Sequence, residues 1–171
     1  FDEFLAVLSG SPLGVNVASL AGHATVRRGI IGDQLRAATA PAVKIIESML
    51  ERSMDSGAQG VSLGLVYAHE VNSSEDELMS VAKVVASREK MLSVHLRSEG
   101  SQVVPALSEV IDLAEKTGAS LKISHLKIRG EKNFHYLEET LALIDRAYQR
   151  GVNISFDVYP YTTSWTVLYT Y

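Results

Sequence analysis

Two histidines stand where chemistry is easiest to build. His95 lies in the run Met91-Leu92-Ser93-Val94-His95-Leu96-Arg97, and His125 in the matching run Leu121-Lys122-Ile123-Ser124-His125-Leu126-Lys127. Each run reads as a buried strand with a histidine at its C-terminal end and a base two residues on. Neighbouring strands lie about 4.8 Å apart, so two imidazoles at adjacent strand ends can grip one metal ion. Zinc commonly takes imidazole nitrogens and leaves a position open for water. Two polar side chains merely satisfied by hydrogen bonds at strand ends would look the same in sequence. Lys127 and Arg97 share the inward parity of the histidines and suit a substrate carboxylate, which arginine binds through two parallel hydrogen bonds. Salt bridges to Glu99, Glu131 or Asp157 are the alternative for both. Tyr159 can donate to a developing oxyanion or simply pack beside Pro160. Asp157 can support a histidine or pair with an inner polar residue. His23, in a Gly-His loop, stays open, and His69 and His135 lie in polar loops where solvent satisfies them.

The elements that must position these residues follow from periodicity and punctuation. Residues 1–9 read as a short amphipathic helix with Phe1, Leu5 and Leu8 on one face. Gly10-Ser11-Pro12 breaks it, residues 15–20 read as a strand, and 21–29 as a loop. Thr39 caps a helix with Pro41 in its first turn and an apolar stripe at Val43, Ile46, Leu50 and Met54. A strand over 61–66 runs into Tyr67-Ala68-His69-Glu70. Ser74 and Glu77 form a capping box for a helix carrying Leu78, Val81, Ala82 and Val85. The first histidine strand, 91–96, is followed by a helix over 101–117 that Gly118 ends, then by the second histidine strand, 120–126. A basic loop over 128–132 leads to a helix over 136–150 with Leu137, Leu141, Ile144 and Tyr148 inward. Strand 152–158 ends in Tyr159-Pro160-Tyr161.

This is a strand–helix alternation with five strands, which argues a parallel sheet with covering helices. In 152–158 the apolar residues occupy one face and Asn153, Ser155 and Asp157 the other. In 91–96, Leu92, Val94 and Leu96 oppose Met91, Ser93 and His95. A doubly wound sheet is buried on both faces and favours continuous apolar runs. One apolar and one semi-polar face fit a (βα)8 TIM barrel instead, with chemistry at the C-terminal strand ends. No Gly-x-Gly-x-x-Gly follows any strand, which weakens a dinucleotide-binding alternative.

The chain has 171 residues, 46% of them hydrophobic and 21% charged, with a formal net charge of -4. That supports one sizeable core and argues against a nucleic-acid partner, which would favour a basic patch. There is no cysteine, so no disulfide and no thiolate ligand comes from this chain, and a cytoplasmic setting fits. No apolar run approaches the roughly 18 residues of a membrane span, so no membrane partner is expected. Residues 1–171 read as one unit with both ends truncated: Phe1 falls inside a helix, and Tyr171 follows an aromatic loop.

Several stretches together resemble one family. They are Asn16-Val17-Ala18-Ser19-Leu20-Ala21-Gly22-His23 with Arg27; Gly64-Leu65-Val66-Tyr67; His95-Leu96-Arg97 with Glu99; Ser124-His125 with Lys127, Gly130 and Asn133-Phe134; and Asp157-Val158-Tyr159-Pro160-Tyr161. In order and spacing they are similar to the N-acyl-D-amino-acid deacylases of the amidohydrolase superfamily. The resemblance implies a (βα)8 barrel of which these are about strands three to seven. It implies that His95 and His125 are zinc ligands, that Lys127 and Tyr159 contact the substrate, and that Tyr67 lies near the pocket. The family's first-strand His-x-His, its metal-binding cysteine and its last-strand catalytic aspartate fall outside this chain, so the zinc site here is incomplete and the chain alone is expected to be inactive. Thr162-Thr163-Ser164-Trp165 replaces the family's small-residue turn, Ala68-His69 follows Tyr67 in place of a proline-containing pair, and Ser98 follows Arg97. The implied activity is hydrolysis of the amide of an N-acyl amino acid by a metal-activated water. A dihydroorotase-like cyclic amidase and a non-catalytic barrel-derived binding protein are the alternatives. Exposed sheet edges would invite a homo-oligomer or a domain swap.

Overall fold

A computed structural model describes residues 1–168. The last three residues of the 1–171 unit lie outside the described residues. The elements are α1 (Asp2–Ser9), β1 (Ala21–Gly22), α2 (His23–Ile31), α3 (Ala40–Asp55), β2 (Gly60–Gly64), α4 (Glu75–Ser87), β3 (Met91–His95), α5 (Val103–Thr117), β4 (Ser120–Ile123), α6 (Leu137–Gln149) and β5 (Ile154–Phe156). A short 3-10 turn, Glu131–Tyr136, precedes α6.

All five strands are parallel and lie in chain order, β1-β2-β3-β4-β5. A doubly wound sheet reverses its order at a switch point and places successive helices on opposite faces. Here consecutive helices from α2 to α6 pack against one another in sequence, so they form one layer on one face. Sequential parallel order with a single helical layer is the wall of a (βα)8 barrel, here five strands of it.

The core lies between helices and sheet. Ile46, Leu50 and Met54 of α3, Leu78, Val81 and Val85 of α4, and Leu107, Ile111 and Ala114 of α5 meet Val61, Leu63, Leu92, Val94, Leu121 and Ile123. The strand residues of that set alternate, so the intervening Ser62, Gly64, Ser93, His95 and Lys122 face the barrel interior. Gly60 allows β2 and β3 to close up: a Cβ there would sit 2.0 Å from the carbonyl oxygen of Met91.

Five expectations change. The strand expected over 15–20 does not form. Val15 and Val17 are exposed, and the first strand is the two-residue β1, inside the expected loop. The rest of that loop is the helix α2, whose buried residues are His23, Arg27 and Ile31. Two of those three are charged, so their spacing of four leaves no apolar stripe to read. Helix α6 buries Thr140, Ile144 and Ala147, while Leu137, Leu141 and Tyr148 are exposed. It covers the edge strand, and no further helix packs on its outer side among the described residues. The capping box is half made. Ser74 Oγ accepts the Glu77 N–H at 3.2 Å, but the Glu77 carboxylate turns into the interior instead of back to Ser74. The helix over 1–9 forms as α1 but buries no residue.

Candidate metal centre

Strand β3 ends on His95, opposite Gly64 of β2. Strand β4 ends earlier, at Ile123, and Ser124 extends the ladder by donating its N–H to Val94 O at 2.9 Å. The chain then turns at His125, which adopts φ 41°, one of two positive values at non-glycine residues among the described residues. Asp157 holds that turn. Its Oδ1 accepts the His125 N–H at 2.5 Å and its carbonyl accepts the Leu126 N–H at 2.8 Å. The turn brings His125 Nε2 to 2.9 Å from His95 Nδ1, with the rings 4.5 Å apart and nearly perpendicular. The two histidines therefore meet, although only His95 is delivered by strand parity.

Glu99 joins them. Its Oε1 lies 3.1 Å from His125 Nδ1 and 3.8 Å from His95 Nε2, and the ligating atoms of His95, Glu99 and His125 all fall within 4.8 Å of one another. From sequence Glu99 figured as a salt-bridge partner and as part of the family resemblance, with no ligand role given to it. Its spacing of four from His95 is a further signal that could have raised it. Lys127 Nζ sits 2.5 Å from Glu99 Oε1 and 2.9 Å from His125 Nδ1, so a cation already lies between carboxylate and imidazole.

Burial, helped by the nearby charges of His125, Lys127 and Arg129 and only partly offset by Glu99, pushes the His95 imidazole down to about 4. It is neutral at pH 7, with a lone pair free for a metal. Burial alone would raise the Glu99 carboxyl, but hydrogen bonds from His125 and Lys127 outweigh it and hold the group below its ordinary value. Two imidazoles and a carboxylate are donors that zinc takes, and a three-ligand set leaves room for water.

These groups line a cavity of about 460 Å³ together with Tyr67, Lys127 and Tyr159. The Tyr67 ring stands 5.0 Å from that of His95, and Lys127 Nζ lies 5.4 Å from the Tyr159 ring centre. Arg97 reaches the cavity wall, but its guanidinium is engaged with Glu109 of α5 at 2.8 Å and with the carbonyl of Val71 at 2.6 Å. Asp157 binds the backbone of His125, not its ring, and its other oxygen pairs with Lys122 at 2.5 Å. His69 is half-buried, 4.0 Å from Asp33, and His135 is exposed against Tyr136. His23 is fully buried among Arg27, Glu70 and Glu77, away from the histidine pair.

No protein-family model matches the chain. The D-aminoacylase of Alcaligenes xylosoxydans xylosoxydans is 33% identical to it over 168 residues, covering 98% of this chain and 34% of that protein. The N-acyl-D-glutamate deacylase of the same organism is 36% identical over 154 residues, 90% of this chain and 32% of that protein. The solved structure of N-acyl-D-glutamate deacylase from Bordetella bronchiseptica, complexed with zinc and a phosphonate inhibitor that mimics the reaction's tetrahedral intermediate, superposes with a TM-score of 0.91. It is 34% identical, and the match covers 94% of this chain and 34% of that one. The chain thus spans about a third of the length of the curated relatives it matches.

Proposed function

From a chain whose sequence and fold put it in the N-acyl-D-amino-acid deacylase family of the amidohydrolase superfamily, we propose that the whole protein hydrolyses the amide bond of N-acyl-D-amino acids or related N-acyl compounds. The observation that carries this is the meeting of His95, His125 and Glu99 in the wall of the cavity that Lys127, Tyr67 and Tyr159 also line. His95 and His125 would hold a zinc ion, with Glu99 within reach of the same place. Bound there, zinc would supply Lewis acidity, acidifying a water and polarising the amide carbonyl. Lys127 offers the substrate carboxylate a positive charge, and Tyr159 offers the developing oxyanion a hydrogen bond. Tyr67 packs along the acyl or side-chain portion. Arg97, spent on Glu109 and Val71, acts on the substrate through the cavity wall it braces. Proton delivery to the leaving amine is left to a group outside this chain.

Zinc content by elemental analysis, with amine release from N-acetyl-D-glutamate, N-acetyl-D-aspartate and apolar N-acetyl-D-amino acids, tests the proposal on the full-length protein. We expect stoichiometric zinc and turnover of at least one of them, with both lost in His125→Ala. Normal zinc and activity in that variant would remove His125 from the ligand set. Activity confined to cyclic amides would move the protein to another amidohydrolase class.

β1 and β5 each have one unpaired edge among the described residues. We therefore expect this chain, expressed alone, to self-associate through those edges and to be inactive; a monomer by light scattering would refute the association. No described helix is long and apolar enough to cross a membrane. The cytoplasm is the compartment we propose, since a chain without cysteine gains nothing from an oxidising one; cell fractionation checks this.

A further inference from the structure

A second set of charges lies buried behind the cavity wall. His23 and Arg27 come from α2, Glu77 from the first turn of α4, and Glu70 from the turn after β2. All four are at most 2% exposed. His23 Nδ1 lies 2.6 Å from Glu70 Oε1 and its Nε2 lies 3.1 Å from Glu77 Oε1. Arg27 Nε donates to the same Glu77 oxygen at 2.7 Å. A neutral imidazole has one N–H and cannot donate to two carboxylates, so this geometry calls for the imidazolium form. Two cations then face two anions, and the quartet is neutral overall.

Such a cluster is a poor device for stability alone, because desolvation cancels much of the attraction and an apolar core of the same volume does as well. Its outer contacts suggest another use. Glu70 Oε2 accepts the Gly64 N–H at 2.6 Å, and Arg27 Nη1 donates to the His69 carbonyl at 2.6 Å. The quartet thus grips both ends of the segment from Gly64 to Glu70, and the middle of that segment is Tyr67. The Tyr67 ring lies directly over Gly64, where a Cβ would be 2.6 Å from Tyr67 Cδ2 and 3.1 Å from Glu70 Oε2. Beyond Gly64 in the sheet is His95, against which the same ring rests.

We propose that His23, Arg27, Glu70 and Glu77 are positioning residues that set the Gly64–Glu70 turn, and with it the Tyr67 ring, against the His95 side of the cavity. The inference rests on the cavity being the binding site for an N-acyl amino acid. The quartet touches neither the cavity nor the metal donors and acts only through the turn.

The test uses full-length, zinc-loaded protein with the N-acetyl-D-amino acid it turns over. Glu70→Gln keeps the shape and an acceptor for Gly64 but removes the charge facing His23. Gly64→Ala keeps all four charges of the quartet and places a methyl group where the Tyr67 ring lies, 2.6 Å from its Cδ2, while also pressing on Glu70 Oε2 at 3.1 Å. Each should raise KM about tenfold, the effect of one misplaced polar or packing contact, with kcat and zinc affinity within about twofold of the unmodified protein. Tyr67→Ala should give a similar rise, and the Glu70→Gln/Tyr67→Ala double variant should add nothing, since both act through one ring. Lower melting temperature with unchanged KM would reduce the quartet to a structural cluster and overturn the proposal, as would additive effects or an equal fall in zinc affinity. If Glu70→Gln does not fold, Gly64→Ala and Tyr67→Ala decide it by the same criterion. If the unmodified protein neither holds zinc nor turns over any N-acyl amino acid, the deacylase reading fails. Positioning is then judged by hydrogen exchange of the 67–71 amides, which Glu70→Gln, or Gly64→Ala in its place, must accelerate.

Discussion

Glu99 faces three nitrogens at once: Lys127 Nζ at 2.5 Å, His125 Nδ1 at 3.1 Å and His95 Nε2 at 3.8 Å. Its negative charge steadies the ammonium of Lys127 and compensates for any cation placed between the rings. A metal held there would therefore compete with Lys127 for the same carboxylate oxygen. Glu99→Gln should lower zinc affinity about tenfold or more, as loss of a charged neighbour of a metal site commonly does. Lys127→Met should raise zinc affinity, because it removes the competing cation, while weakening binding of a substrate carboxylate. Chelator-competition titration of the two variants checks both signs. Equal zinc affinity in all three proteins would leave Glu99 as a partner of Lys127 and nothing more.

At the scale of elements, the turn after β4 matters most. A left-handed backbone at a non-glycine residue costs on the order of 1 kcal/mol, and His125 carries it at φ 41°. The compensation comes from the end of β5. Asp157 accepts the His125 and Leu126 N–H groups, donates its own N–H to Ile123 O at 3.1 Å, and pairs with Lys122. Asp157→Ala should weaken zinc binding by about tenfold without touching a ligand, since the ring would lose its fixed direction. Asp157→Asn, whose amide oxygen still accepts from His125, should stay much closer to the unmodified protein. Zinc affinity by competition titration separates them, and equal losses would show that the charge, not the hydrogen bond, is what counts.

For the whole molecule, the half-buried His95 and the buried His23 respond to pH with opposite sign. His95 is depressed to about 4 from an ordinary 6.5. Its contribution is complete above 6.5 and is lost as the pH falls towards 4, because the unfolded chain takes up the proton first. For His23, burial alone would lower the value, but the carboxylates of Glu70 and Glu77 outweigh it and hold the imidazole above 6.5. Its contribution is complete below 6.5 and is lost as the pH rises through the raised value. Glu77, which burial would raise but His23 and Arg27 hold low, adds stability above 4.5 that is lost on further acidification. In metal-free protein, urea midpoints should show His95→Asn removing part of the acid-side loss and His23→Gln part of the alkaline-side loss. Parallel pH curves for His23→Gln and the unmodified protein would refute the His23 assignment.

The alternation of strands and helices, the apolar faces of α3, α4 and α5, and the candidacy of His95 and His125 could all be read from residue order. Each rests on local periodicity, and an apolar residue's burial is written in its spacing from other apolar residues. Polar burial is not written that way. His23 meets Glu70 and Glu77 across 47 and 54 positions, and their partnership exists only once the fold brings the first turns of α2 and α4 together. For the same reason α2 read as a loop, Glu99 read as a salt-bridge partner without a ligand role, and the inward face of α6 was set by its place over the edge strand, not by its leucines. Residue order determined which groups are available for chemistry. The tertiary structure decided which of them meet, because a charge inside a protein is located by its partners and those partners are distant in the chain.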